Sequence, residues 1–305
     1  MSNDILVIGS MNMDLVVQTP RAPKKGETIM GNKFSQIPGG KGANQALAAG
    51  KLGGEVNFIG CCGQDAFGDE LLESLKTGGV NIDDVLRVEG SSGVANITIE
   101  DDGDNRIIVV AGANSKVTPE VIESFKAKIK AAKILLLQLE IPLESVSKAI
   151  EFANKYDTTV ILDPAPAVKL PEELYSMIDY LLPNEGELDL LLEDYEVNTL
   201  QKKIELLLDL GVKRILLTQG GDGVTLYSKG KEESYAALKV EVVDTTAAGD
   251  SFAGAFAYGL QRGFDEAEAI RYANSVAALA VTKLGAQSSL PTKEEVDKFQ
   301  KERGL

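Results

Sequence analysis

The chain has 305 residues and a formal charge of −15, from 31 basic and 46 acidic side chains, with no His, no Trp, 2 Cys and 30 Gly. Without histidine there is no His-ligated zinc, no Ser-His-Asp catalysis and no haem on a proximal His. A base working near neutral pH must therefore be Asp, Glu, Lys, Cys or Tyr.

In chain order, Ile5 to Ile8 form a short apolar strand ending on Gly9 and Ser10. LVVQTP and TIMGNKFSQ follow, within residues 15–36, as alternating or β-branched segments around a Pro/Lys/Gly turn. Small residues over 43–52 predict a helix, residues 56–59 a strand and residues 67–76 a second helix. Within 90–112, GVANITIE and NRIIVVAG flank Asp101-Asp102-Gly103-Asp104 and predict an antiparallel hairpin. These strands interrupt an α/β pattern, so they are assigned with those of 15–36 to a small separate sheet.

Beyond them the alternation is regular. Helix 119–131, strand 134–140, helix 143–156 and strand 159–164 lead to strand 180–184 and helices 185–193 and 199–210. Strand 214–220, a hairpin-like stretch over 223–243 and helices 249–262 and 264–284 complete the pattern. Short apolar strands spaced by helices predict an α/β fold with a mostly parallel sheet covered on both faces. No repeat or low-complexity linker divides the chain, so residues 1–305 read as one α/β domain with the small sheet inserted.

The acidic balance disfavours nonspecific nucleic-acid binding, and the adjacent Cys61 and Cys62 make a poor disulfide framework. An acidic start and the lack of a long apolar run add to the expectation of a cytoplasmic protein with no membrane partner.

Ligands of such sheets bind beyond the C-terminal ends of the strands. The polar residues there are Asn12 and Asp14, Glu140, Asp163, Asn184 and Glu187, Thr218 to Gly223, and Asp244. Asp163, followed by Pro164, reads mainly as structural. The segment DTTAAGDSFAGAFAYG (244–259) has small residues for a tight turn, with the amides of Ala247 to Asp250 at a helix start. Unpaired N–H groups backed by a helix dipole stabilise anionic oxygen, and Asp250 beside them suits deprotonation of a hydroxyl attacking phosphorus. IPGGKGANQALAAG (37–50) is neither a Walker A loop nor GxGxxG. Its Gly39 and Gly40 could admit a small polar molecule, with Asn44 offering amide donors and acceptors.

GSMNMD (9–14), GGKGAN (39–44), NEGE (184–187), DTTAAGD (244–250), and Ala273-Asn274 with AVTKLGAQSSLP (280–291) together resemble the ribokinase-like carbohydrate kinase family. The resemblance spans residues 4–295. It implies a three-layer αβα sandwich with a small β-sheet lid, acting as an ATP-dependent kinase on O5 of D-ribose, with Mg²⁺ and K⁺. It also implies a homodimer through the lid. Asp14 would hold two sugar hydroxyls, assisted by Asn12, Gly40, Asn44 and Glu140, with Met13, Lys41, Gly42 and Ala43 in the same sugar-binding segments. Asp250 would be the base, and the amides of Ala247, Ala248 and Gly249 would receive phosphoryl charge. Asn184 and Glu187 would organise Mg²⁺ and the phosphates through water. Thr218, Gln219, Gly220, Gly221, Asp222 and Gly223 would follow the nucleotide groove, with Asp222 turned to solvent and Asn274 near the adenine. Asp244, Thr246, Ala280, Lys283, Gly285 and Ser289 would ring the K⁺, several through carbonyls, with the Lys283 ammonium turned away. Another sugar such as deoxyribose or fructose, a nucleoside, or a non-catalytic sugar-binding role are the competing readings.

Overall fold

The strand Ile5–Ile8 buries every side chain and lies in the interior of a ten-stranded sheet. The computed structural model describes residues 4–102 and 104–305. Met1 to Asn3, and the Gly103 position of the expected hairpin turn, lie outside the described residues.

On one side of Ile5–Ile8 run Ile134–Leu137, Thr159–Leu162, Tyr180–Leu181 and Arg214–Thr218, all parallel. On the other lies Val56–Gly63, which pairs in parallel with Val80–Asn81 and Val85–Val88. Val224–Ser228 and Lys231–Tyr235 close the far edge as an antiparallel hairpin. Strand order thus reverses between Ile5–Ile8 and Ile134–Leu137, which opens a crevice at their C-terminal ends.

Alternating side chains divide the core into two layers. Ile5 and Val7 pack with Leu47, Phe252, Phe256 and Val276 from helices Lys41–Lys51, Ala248–Arg262 and Glu266–Ala280. Leu6 and Ile8 pack with Val146, Ile150, Ile204 and Leu207 from helices Leu143–Lys155 and Leu200–Asp209. The result is an αβα sandwich. Cys62 belongs to the first layer and Cys61 to the second, so adjacent thiols point to opposite faces. Burial pushes the Cys61 thiol up to about 11, and it stays protonated. Among the described residues, no helix is long and apolar enough to cross a membrane.

The second sheet has four strands in the order Lys33–Gly39, Asn12–Thr19, Gly93–Glu100, Asn105–Val110. Its central pair is parallel and both outer pairs are antiparallel. The first of these strands in the chain starts at Asn12, ahead of the expected 15. Polar Asn12 and Asp14 disguise it in the sequence, yet they carry the lid down to the crevice.

Other elements differ in extent. The expected helix 119–131 is interrupted at Phe125 into Pro119–Ser124 and Lys126–Ala131. Residues 236–243, expected within a hairpin-like stretch, are irregular. The strand Val85–Val88 and the helix Lys293–Arg303 were not anticipated. That helix buries only Val296 and so carries almost no hydrophobic period.

Candidate active site

Asp250 lies in the first turn of helix Ala248–Arg262 and is 6% exposed. The turn before it needs Ala247 at φ 59°, a left-handed conformation that favours glycine and stores strain at functional turns. Ala248 N–H donates to the Thr245 carbonyl at 3.2 Å. The turn itself therefore uses one of the three expected amides. The Asp250 carboxylate accepts from Asn44 Nδ2 at 2.9 Å on one oxygen and from Gln45 Nε2 at 3.1 Å on the other. Gln45 Nε2 also donates to Asp163 Oδ2 at 2.7 Å, while Gln45 Oε1 accepts from Gln138 Nε2 at 2.5 Å.

Lys41 Nζ stands 4.0 Å from both Asp163 and Asp250. Burial alone would lower its pKa, but Asp250, Asp163, Glu140 and Glu187 outweigh that and the net shift is upward, so Lys41 is a fixed cation. Burial, resisted by Lys41 and reinforced by Asp250 and Glu187, raises the Asp163 carboxyl to about 7.

The lid supplies the second group. Asp14 is raised to about 7 by burial, then by Glu140 and Asp250, whose charges it feels across the crevice. A Cβ added at Gly39, on the neighbouring strand, would sit 2.4 Å from Asp14 Oδ2. Glycine there leaves the carboxylate its place. Gly40, at φ 90°, turns the chain from the lid into helix Lys41–Lys51. Glu140 Oε2 accepts from Ser10 Oγ at 2.6 Å, Lys41 N–H at 3.1 Å and Asn12 Nδ2 at 3.4 Å. Asn114 Nδ2 holds Asn12 Oδ1 at 2.7 Å. Asn44 Oδ1 is buried with no partner, an acceptor left for a donor such as a hydroxyl.

A cavity of about 230 Å³ opens beside Asp250, lined in part by Lys41, Asp163, Asn184, Glu187, Thr218 and the 245–249 turn. Asn184 and Glu187 form a reciprocal cap on helix Glu185–Leu191, Asn184 N–H donating to Glu187 Oε2 and Glu187 N–H to Asn184 Oδ1, both at 2.8 Å. Gln219 to Gly223 form a tight turn in which Asp222 is exposed. Gly223 packs against the Tyr235 carbonyl, to which Asn274 Nδ2 donates at 3.5 Å, so a continuous path joins that turn to Asn274. Asn274 itself lines a separate groove of about 720 Å³ with Tyr235, Leu238 and Arg271.

Behind the turn, Asp244 Oδ1 accepts from Thr246 N–H at 2.9 Å and Thr246 Oγ at 2.6 Å, and its Oδ2 from Gly285 N–H at 2.8 Å. Burial opposes these bonds, but they hold the Asp244 carboxyl below its ordinary value. Val243 and Asp244 N–H groups both reach the Val281 carbonyl. The 244–250 turn and the 280–289 loop are thereby joined. Lys283 Nζ pairs with Glu295 at 2.6 Å, and Ser289 is buried.

Residues 2–293 match the model of the pfkB family carbohydrate kinases. The chain belongs to that family. It is 40% identical over 307 residues to the ribokinase of Schizosaccharomyces pombe, covering 96% of each chain. It resembles the crystal structure of a ribokinase from Thermotoga maritima with a TM-score of 0.91 and 41% identity, covering 98% of this chain and 99% of that one. It also resembles an Arabidopsis thaliana ribokinase complexed with ribose and ATP, with a TM-score of 0.92, 36% identity and 99% of each chain covered.

Against this carbohydrate-kinase frame, the structure gathers Asn12, Asp14, Gly40, Lys41, Asn44, Glu140 and Asp250 around one crevice. It separates others. Met13 is fully buried in the apolar core, and Ala43 packs there too while its N–H donates to Ser10. Gly42 packs against Gly9, so these three shape the crevice without facing it. Ser10, Gln45, Asn114, Gln138 and Asp163 were missed as site residues. The only available signal was their position just past strand ends or beside GGKGAN, and for Asp163 the following proline favoured the structural reading.

Proposed function

We propose that the chain transfers the γ-phosphoryl group of ATP to O5 of D-ribose. The observation that carries this reading is the convergence of two carboxylates from different layers, Asp14 from the lid and Asp250 from the helix start. Phosphoryl transfer asks for in-line positioning and charge stabilisation more than covalent help. Asp14 accepts two sugar hydroxyls, Glu140 fixes Asn12 beside it, and the free Asn44 Oδ1 takes a further hydroxyl. Asp250 then receives the O5 proton as the bond to phosphorus forms. The Ala247 and Gly249 amides, at the positive end of the helix dipole, face the transferring group, with Lys41 adding a fixed positive charge. The similarity to a ribokinase bound to ribose and ATP supports the same pair of substrates.

Among the described residues no group of three or more acidic or thiol side chains is arranged to hold a metal ion. That donor set fits Mg²⁺ bound mainly by phosphate oxygens and water, with Glu187 and Asn184 as the outer partners. Bound Mg²⁺ supplies charge neutralisation on the phosphates. The carboxylate and carbonyls where the 244–246 and 280–289 segments meet suit one weakly hydrated monovalent ion. K⁺ there would hold the catalytic turn, with Asp244, Thr246, Ala280, Gly285, Ser289 and the Lys283 carbonyl around it. Ile107 to Val110 are exposed along the lid edge, and a second copy of the chain is the proposed cover. Sedimentation as a monomer would remove that part.

The test is turnover with ATP across ribose, 2-deoxyribose, fructose and nucleosides, in Mg²⁺ with and without K⁺ at matched ionic strength. Ribose should be preferred and K⁺ should raise kcat. Preference for a nucleoside or for another sugar would contradict the substrate, and equal rates without K⁺ would contradict the cation.

A further inference from the structure

Gln45 and Gln138 are both fully buried, yet neither is a sugar or phosphate ligand in the scheme above. Burying a side-chain amide is unfavourable unless its groups are bonded, so two adjacent buried glutamines need a reason. Their bonding has one consistent direction. Gln45 donates its NH₂ to two carboxyl groups, Asp163 at 2.7 Å and Asp250 at 3.1 Å, and an ionised carboxylate can only accept. Its carbonyl oxygen then faces Gln138, which must present its own NH₂ at 2.5 Å. The chain runs from Gln138 through Gln45 to the two acids, and flipping either amide would break it.

On Asp250 the outcome is a clamp. Asn44 donates to Oδ2 and Gln45 to Oδ1, from consecutive positions on one helix, Lys41–Lys51. An aspartate carboxylate otherwise rotates in a broad, roughly two-fold well. Two donors diverging from one helix fix its plane and leave the remaining lone pairs for an incoming hydroxyl. Lys41 is near both acids, but an ammonium at 4.0 Å is a point charge without the direction to set a plane.

We propose that Gln45 is a positioning residue for phosphoryl transfer: its amide, oriented by Gln138, sets the plane of the Asp250 carboxylate and ties it to Asp163. This rests on the reading of Asp250 as the base. Gln45 acts through Asp250 and touches no substrate. Gln138, which among the described residues bonds through its side chain to Gln45 alone and leaves its Oε1 without a partner, acts one step further back. The arrangement also gives the buried Asp163 a task, as the second anchor that keeps the Gln45 amide from turning.

The test is a kinetic cycle on the full-length protein, with thermal melting as a control. Gln45→Met keeps length and burial but removes the donor. It should lower kcat by about 10- to 100-fold, the scale of small misplacements at a reacting centre, while KM for ribose and ATP changes little. Gln138→Met should lower kcat less, and should add nothing in the Gln45→Met background because it acts only through Gln45. Gln45→Glu decides the matter if Gln45→Met does not fold, since it keeps size and the acceptor for Gln138 while losing the shared donor, and it too should lose kcat. Wild-type kcat in a folded Gln45 variant, additive losses in the cycle, or a melting shift with kcat unchanged would each overturn the proposal. If Asp250→Asn retained turnover, the base assignment would fail instead. Loss in Asp250→Asn with wild-type kcat in Gln45→Met would remove this proposal alone.

Discussion

The floor of the crevice and its lid are built to opposite standards. Asp250 is buried, and its carboxylate is held by two amides, Asn44 and Gln45, on a helix locked into the core. The second sheet buries Asn12 and Met13 at its base and Thr19 at the far end of the same strand, leaves the residues between them half-buried, and ends in the strand Asn105–Val110 with every residue exposed. In the proposed reading, the chemistry that depends on sub-ångström placement sits on the buried layer, and sugar recognition sits at the base of the more exposed sheet. Changes on the floor should therefore appear in kcat, and changes at the lid base in sugar affinity.

The largest expected effect is Asp250→Asn, which keeps shape but cannot take the hydroxyl proton. A lost general base lowers rate by about 10²–10⁴-fold. A variant keeping more than a tenth of kcat would break the division at its floor. Next comes Asp14→Ala. Bonds to a charged group are worth about 1.5–3 kcal/mol each, and both are present before and during transfer, so ribose KM should rise by about 10²-fold or more with ATP KM little changed. An ATP effect without a sugar effect would move Asp14 to the other substrate.

The smallest effect, and the sharpest on the lid, is pH dependence. Burial holds the Asp14 carboxyl at about 7, and sugar hydroxyls donate best to its ionised form. Ribose binding should then release a proton near neutrality and weaken as pH falls below 7, approaching about tenfold per unit. Calorimetry in buffers of different ionisation enthalpy measures the proton directly, and Asp14→Asn should abolish it. In the unliganded protein the same shift works against stability. The folded state keeps this proton above the ordinary aspartate pKa of 3.8, so Asp14 disfavours folding progressively as pH rises from there to about 7.

Much of this was legible in the sequence because strand ends advertise themselves. Glu140, Asn184 and Thr218 follow apolar runs, and the small residues of 244–250 admit few purposes other than a tight turn at a helix start. The lid hairpin was visible from its alternation and its Asp-Gly turn. What stayed hidden depends on the third dimension. Gln45 looks like an ordinary helix residue until Gln138, 93 positions away, is placed beside it. Asp163 resembles a cap until Lys41 and Asp250 arrive from two other elements. Met13 alternates with Asn12 and Asp14 and so shared their assignment, but strand pleating sends it into the core.

Calorimetric titration of D-ribose into Asp250→Asn and Asp14→Asn, side by side with the unaltered protein, tests the division between floor and lid most directly. Asp250→Asn should bind ribose within a few-fold of the unaltered protein while failing to phosphorylate it, and Asp14→Asn should lose most of its ribose affinity. Ribose binding lost in Asp250→Asn but kept in Asp14→Asn would contradict the account.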